Sequence, residues 1–180
     1  PAPLRHLALI HGWGLGRAAW QPVLPVLSAH CEVHLVDLPG YGEAAADAES
    51  FEDTAAHIVD RLPVGTILCG WSLGALLALE AASRKPARIG GLVLVGATPS
   101  FVQRDDWPHA QPATLLDGFT AAVRKRPADT LQRFVALLNQ GDAHARANTR
   151  AQQQALAAAP TPDGESLIRG LDWLRKTELR

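Results

Sequence analysis

Methionine is missing from this sequence of 180 residues, cysteine occurs twice and tyrosine once. Without any methionine, the residue that starts translation is not among those given, and a trimmed chain is expected. Cys31 and Cys69 fall on different expected strands without metal-ligand spacing, which argues against a disulfide framework or a structural zinc site. They read as buried thiols of a reducing compartment, so a cytoplasmic location is expected. No apolar run approaches the roughly 20 residues that cross a bilayer, and Pro1-Ala2-Pro3 opens no secretory signal. Charge is balanced: 17 Lys+Arg against 18 Asp+Glu leaves a net charge of −1, without the basic surface that general nucleic-acid binding needs. No internal repeat or low-complexity tract occurs, although 142–159 is rich in alanine and glutamine. What is present is apolar: 47% hydrophobic residues suffice for one domain with a substantial core.

The first half alternates strand and helix patterns. Leu7-Ala8-Leu9-Ile10 reads as a buried strand, followed by the loop His11-Gly12-Trp13-Gly14-Leu15-Gly16. A helical segment over about 18–29 is interrupted by Pro22 and Pro25, and a second strand spans Glu32 to Leu38. The turn Pro39-Gly40-Tyr41-Gly42 ends that strand. Ser50 with Asp53 predicts a helix start, and Pro63 stops that helix just after Arg61. Thr66 to Gly70 and Leu92 to Val95 are the third and fourth strands, separated by a helix that ends near Arg84, Lys85 and Pro86. This order predicts an α/β protein with a mostly parallel sheet covered by helices on both faces. From Ala113 the strand signal stops. Helical periods over 113–126, 128–140, 142–159 and 164–176 predict an all-helical cap inserted over the ligand-binding end.

At the centre lies Gly70-Trp71-Ser72-Leu73-Gly74, between the third strand and the helix that follows it. Gly-x-Ser-x-Gly in that context is a nucleophile elbow, with the serine at the apex of a strained turn. The plainer alternative is a glycine-flanked serine serving as an ordinary helix N-cap. In a parallel sheet, ligands bind beyond the carboxyl ends of the strands. If strands one and three are neighbours, the Gly12-Trp13-Gly14 loop faces Ser72. The amides of Trp13 and Leu73 would then form an oxyanion hole. A competing reading is a dinucleotide-binding unit, built from Gly12-x-Gly14 with Asp37 as the ribose ligand. Arg17 at the third glycine position, and Pro22 and Pro25 in the helix that should hold the pyrophosphate, argue against it.

Leu9-Ile10-His11-Gly12-Trp13-Gly14, Val36-Asp37-Leu38-Pro39-Gly40-Tyr41-Gly42 and the Ser72 elbow together resemble the α/β-hydrolase superfamily. Within it the chain is most similar to the carboxylesterases of biotin synthesis, which demethylate pimeloyl-acyl-carrier-protein methyl ester. The likeness continues through Arg104-Asp105-Asp106-Trp107-Pro108, Arg133 to Leu137, Leu171-Asp172-Trp173-Leu174 and Glu178-Leu179-Arg180. It implies a hydrolase core over 1–110, a helical cap over 111–176, and at 177–180 the start of a further core segment. It implies Ser72 as nucleophile, Trp13 and Leu73 as oxyanion donors, and Trp13, Ser72, Leu73, Phe134, Val135, Ala136, Leu137 and Leu138 as substrate-binding residues. Phe134 and Leu138 stand one helical turn apart, which suits either a wall of an acyl tunnel or ordinary cap core. Arg133, Arg146 and Arg150 match a surface that binds acidic acyl-carrier protein, although a solvated helix face has the same charge pattern. No cofactor and no metal are implied.

The resemblance also places the triad aspartate and histidine after the cap, on strands expected beyond Arg180. A serine is a weak nucleophile without a histidine to take its proton. None of the seven histidines suits that role: His11 belongs to the oxyanion loop, where a structural hydrogen bond is expected, and His34 to a strand. His6, His30 and His57 sit elsewhere on the scaffold, and His109 and His144 in the cap region. Asp105 and Asp106 follow strand four but match a structural motif. The chain is therefore expected to need its C-terminal segment, if necessary as a second chain, and to be inactive alone. A general short-chain esterase, a thioesterase, a lactonase and a non-catalytic carrier-binding fragment remain open on this scaffold.

Overall fold

The computed structural model describes residues 5–47 and 49–180; the reading of Pro1-Ala2-Pro3 lies outside them. Four strands, β1 (Arg5–Ile10), β2 (Cys31–Val36), β3 (Thr66–Trp71) and β4 (Ile89–Val95), form one parallel sheet in the order β2-β1-β3-β4. Strand order therefore reverses between β1 and β3, the crevice where parallel sheets bind ligands.

Period-two alternation sorts the side chains of β1 and β2 onto two covered faces. Leu7 and Leu9 pack with Trp20 and Cys69 on one face, joined by Leu24 and Leu27 of the short helix α1 (Leu24–Ser28) and by Cys31, Val33 and Leu35. Ala8 and Ile10 face the larger cluster, with helices α2 (Phe51–Asp60) and α3 (Leu73–Arg84). The expected capping at Ser50 is present, its hydroxyl accepting from the Asp53 amide at 3.0 Å. Around 18–29 the expected helix divides into a 3-10 turn at Arg17–Trp20 and α1. Pro22 and Pro25 lack the amide donors that a continuous helix requires.

The second half is helical as expected: α4 (Ala113–Lys125), α5 (Pro127–Leu138), α6 (Ala145–Ala158) and α7 (Gly164–Lys176). Leu116, Val123, Leu131, Leu167, Leu171 and Leu174 join the same cluster as the sheet, so these helices pack down onto it. The last residues return to the stretch after β4. The Leu179 amide donates to the Pro99 carbonyl at 2.9 Å, Arg104 pairs with Glu178 at 3.1 Å and Arg180 pairs with Asp106 at 2.9 Å.

The outer edge of β4 is different. Leu92, Val93, Leu94 and Val95 are 38%, 47%, 38% and 42% exposed. Neighbouring residues point to opposite faces, so both faces of this edge are uncovered. An unbroken apolar run is the signature of a parallel strand buried on both sides.

Candidate active site

Ser72 stands at the junction of β3 and α3 with φ 54° and ψ −113°, the only non-glycine residue at positive φ among the described residues. That backbone is costly for an L-residue. It is held by the crowding around it, because a Cβ on Gly70 would overlap the Gly74 carbonyl, and one on Gly74 would overlap the Ile10 carbonyl. The Ser72 amide is fixed by the Val95 carbonyl at 2.9 Å, tying the turn to β4. An ordinary N-cap has extended backbone and a hydroxyl that accepts from the first turn. Ser72 has neither: its side chain makes no capping hydrogen bond. The half-buried hydroxyl is left for other chemistry.

The loop after β1 lies against this turn. A Cβ built on Gly12 would stand 3.5 Å from Ser72 Cβ and 3.2 Å from the Trp71 carbonyl. Within the loop, the Gly14 amide donates to the Tyr41 hydroxyl at 2.8 Å and the Leu15 amide to the Gly12 carbonyl at 3.3 Å. No hydrogen bond among the described residues occupies the Trp13 amide. Leu73 opens α3, where the first amides have no carbonyl partner within the helix. Two amides of the kind that stabilises an oxyanion thus flank the serine turn.

His11 sets the loop's shape rather than acting on substrate. Fully buried, its Nδ1 donates to the Gly12 carbonyl at 2.8 Å while Nε2 accepts from the Leu38 amide at 3.1 Å. That pattern requires the neutral ring, and burial lowers its pKa to about 4. The expected structural hydrogen bond is therefore present. The Tyr41 ring lies tilted against that of His11, with centroids 4.6 Å apart, and burial pushes its hydroxyl well above the usual phenol range. It signals its place in the sequence only as the lone tyrosine in Pro39-Gly40-Tyr41-Gly42; its bond to Gly14 was not foreseen.

Trp13 carries the site's link to the cap. Its indole donates to the Leu167 carbonyl of α7 at 2.8 Å and meets Phe119 and Phe134 edge-on, with centroids 5.7 and 5.0 Å away. Of the residues expected to bind substrate, Trp13, Leu73 and Phe134 thus lie around the serine turn. Val135 is fully enclosed in the core, and Ala136, Leu137 and Leu138 are exposed along α5. Phe119 was missed because nothing in the sequence pairs it with Trp13. Arg133, Arg146 and Arg150 are exposed, and among the described residues no ion pair engages them.

The other histidines stand away from Ser72 Oγ, which hydrogen-bonds none of them among the described residues. His57 pairs with Glu49 at 3.0 Å, His6 meets His34 at 3.0 Å, and His30, His109 and His144 are exposed. Asp105 and Asp106 are exposed, and Asp106 is held by Arg180. The dinucleotide reading fails on geometry. Asp37 is engaged by Arg17 at 2.7 Å, and only a four-residue 3-10 turn follows the glycine loop, so no helix N-terminus faces a pyrophosphate. A cleft of about 530 Å³ beside Asp37 lies between β2 and α2 and does not reach Ser72.

A parallel sheet with a strained Gly-x-Ser-x-Gly turn and flanking free amides defines a hydrolase scaffold. Residues 7–177 match the alpha/beta hydrolase family, and the chain belongs to it. It is 41% identical over 176 residues to the pimeloyl-[acyl-carrier protein] methyl ester esterase of Klebsiella pneumoniae subsp. pneumoniae, covering 97% of this chain and 68% of that one. The protein of the same name from Sodalis glossinidius is 40% identical over 177 residues, covering 98% and 68%. Among solved structures, an esterase from Exiguobacterium antarcticum superposes with a TM-score of 0.83 at 20% identity, covering 98% of this chain and 68% of that one. An enol-lactonase from Burkholderia xenovorans superposes at 0.78 with 18% identity, covering 99% and 67%. These two likenesses bear on the fold alone. No helix among the described residues is long and apolar enough to cross a membrane.

Proposed function

We propose that this chain is the nucleophile-bearing part of a serine carboxylesterase that hydrolyses the methyl ester of a pimeloyl group carried on acyl-carrier protein. The observation that carries the reading is Ser72 itself: a residue held at φ 54° whose hydroxyl makes no capping hydrogen bond, near a Trp13 amide without a hydrogen-bond partner among the described residues. The relatives that are about 40% identical point to the same ester.

Ser72 Oγ adds to the ester carbonyl carbon, and the resulting oxyanion accepts hydrogen bonds from the amides of Trp13 and Leu73. Loss of such a donor costs about 3 kcal/mol of transition-state stabilisation. The tetrahedral species collapses by breaking the bond to the methoxy oxygen, which leaves as methanol after taking a proton. An acyl-Ser72 ester remains, and water cleaves it through the same oxyanion site. Phe134 with Trp13 lines the acyl path. Arg133, Arg146 and Arg150 hold the acidic carrier outside.

The proton acceptor for Ser72 and the carboxylate that orients it come from a segment following Arg180. The relatives are about half as long again as this chain, and the histidines here are engaged or remote. The same segment covers the exposed edge of β4, on the same chain or as a second one. Size-exclusion chromatography with mass spectrometry should find the 180 residues self-associated alone and in a one-to-one complex with that segment. A stable, folded monomer would count against this part of the reading.

The central test uses the complete protein. A fluorophosphonate probe should label Ser72, and Ser72→Ala should lower methanol release from the carrier-linked ester by about 10⁵-fold or more. Turnover that survives the substitution, or labelling at another residue, refutes the assignment.

A further inference from the structure

On the opposite end of the sheet from Ser72, three metal-binding side chains converge. β1 and β2 pair in register with His6 beside Glu32 and Ala8 beside His34. Glu32 and His34 are two apart on β2, so both project to the face that His6 shares. His6 Nδ1 lies 3.0 Å from His34 Nε2 and 3.5 Å from Glu32 Oε2, and the three ligand atoms all fall within 4.8 Å of one another. We propose that His6, Glu32 and His34 form a zinc site that clips the edge strand β2 to β1.

The chemistry favours zinc. Two imidazole nitrogens and one carboxylate oxygen form a zinc donor set, with a fourth, open position for water. Tetrahedral ligands at about 2.0–2.1 Å from the ion stand about 3.3–3.4 Å apart, so the observed 3.0 and 3.5 Å need only small side-chain adjustments. A parallel ladder holds both strands, and the backbone is therefore organised before the ion arrives. Without the ion, His6 Nδ1 and His34 Nε2 share one proton as a hydrogen bond. Binding requires a lone pair on each, with the remaining ring protons on His6 Nε2 and His34 Nδ1. Glu32 is exposed, and His34 borders the cleft between β2 and α2, which gives the ion a way in. Asp37, Glu43, Asp47 and Glu49 line that cleft along with Arg17 and Arg61, so its charge does not oppose the approach of a cation.

Nothing in ester hydrolysis uses these residues, since His6 and Glu32 lie at the amino ends of their strands and Ser72 lies past the carboxyl end of β3. The zinc is thus a stabilising clip with no part in the reaction. The test is calorimetric titration of the complete protein with zinc chloride, repeated against a chromophoric chelator. One Zn²⁺ per chain is expected, with affinity on the order of micromolar. His6→Ala and His34→Ala should each weaken binding at least about tenfold, and Glu32→Gln by less. At about a hundred times Kd the melting midpoint should rise by several degrees in the parent protein and not in His34→Ala. Circular dichroism of each variant without zinc identifies any that fails to fold, and His34→Gln serves as the replacement. His144→Ala should bind as the parent does. Absence of binding, or binding that survives His6→Ala and His34→Ala, leaves only a histidine–histidine hydrogen bond and overturns the proposal.

Discussion

Helices α3 and α6 are of similar length, 12 and 14 residues, yet they stand at opposite extremes of burial. α3 buries Leu73, Gly74, Ala75, Leu76, Leu77, Ala78 and Ala81, so it is wedged between the sheet and α2 on nearly every side. α6 buries none of its residues. It is attached by polar contacts such as Asn139 to Gln152 at 2.7 Å and Gln153 to the Gln132 carbonyl at 3.1 Å, with Leu156 packed against the core. The helix beneath the serine is therefore fixed by close packing, where a single methyl group is felt. The helix bearing Arg146 and Arg150 can change sequence at little cost to the fold. On the proposed function, rigidity falls where atoms must meet within an ångström, and latitude where a charged partner would only have to be attracted.

The largest expected effects belong to the packed side. A Cβ on Gly74 would overlap the Ile10 carbonyl oxygen and come within 2.7 Å of the His11 carbonyl oxygen, both backbone atoms that cannot step aside. Gly74→Ala gains about 1 kcal/mol of helix propensity but incurs an overpacking cost of about 3 kcal/mol or more. The overlap wins, and urea unfolding should show a net loss of about 2 kcal/mol or more at unchanged m-value, together with loss of esterase activity. An unaltered midpoint would mean that the β3–α3 junction is looser than its geometry implies.

His11 supplies the next effect. Its folded pKa of about 4 lies below the ordinary 6.5, so protons favour the unfolded chain. The stabilisation is complete above pH 6.5 and is lost progressively as pH falls toward about 4, in total about 3 kcal/mol from this ring. His11→Asn should flatten that part of the stability–pH curve while lowering stability at neutral pH, because the Gly12 and Leu38 bonds are no longer both met. If the parent and His11→Asn lose stability in parallel between pH 6.5 and 4, the buried ring is not the cause.

Much of this contrast was legible in the sequence. Apolar runs bounded by glycine and proline marked all four strands, and Gly-x-Ser-x-Gly marked the turn whose strain the structure then displayed. The cap helices begin and end within a few residues of their periodic patterns, because Pro127, Gly141 and Pro160 interrupt them. What stayed hidden was pairing across the chain. Arg17 with Asp37, Tyr41 with Gly14 and Trp13 with Phe119 are each separated by 20 residues or more, and no local pattern encodes them. The His6, Glu32 and His34 cluster is the same case, since it depends on the register of two strands 26 residues apart. The exposed edge of β4, by contrast, was expected, because the resemblance places further strands beyond Arg180 and leaves the fourth strand without its outer neighbour.

The smallest effect on the fold is expected on α6, and it discriminates best. Arg146 stands in the first turn of that helix, which contains no acidic residue, whereas α2 and α7 place Glu52, Asp53 and Glu165 there. A cation at a helix N-terminus opposes the helix dipole by about 0.3–1 kcal/mol. Arginine is thus a poor choice for stability at this position, which favours a role in attracting an acidic partner. Replacing Arg146 and Arg150 with glutamate should leave the melting midpoint unchanged or slightly raised. KM for the carrier-linked ester should rise about tenfold, equivalent to about 1.4 kcal/mol of lost attraction, and the increase should shrink at high salt. Turnover of a small soluble ester should not change. Equal loss on both substrates would show that α6 shapes the acyl site itself, and the division between a fixed catalytic side and a replaceable recognition side would fail.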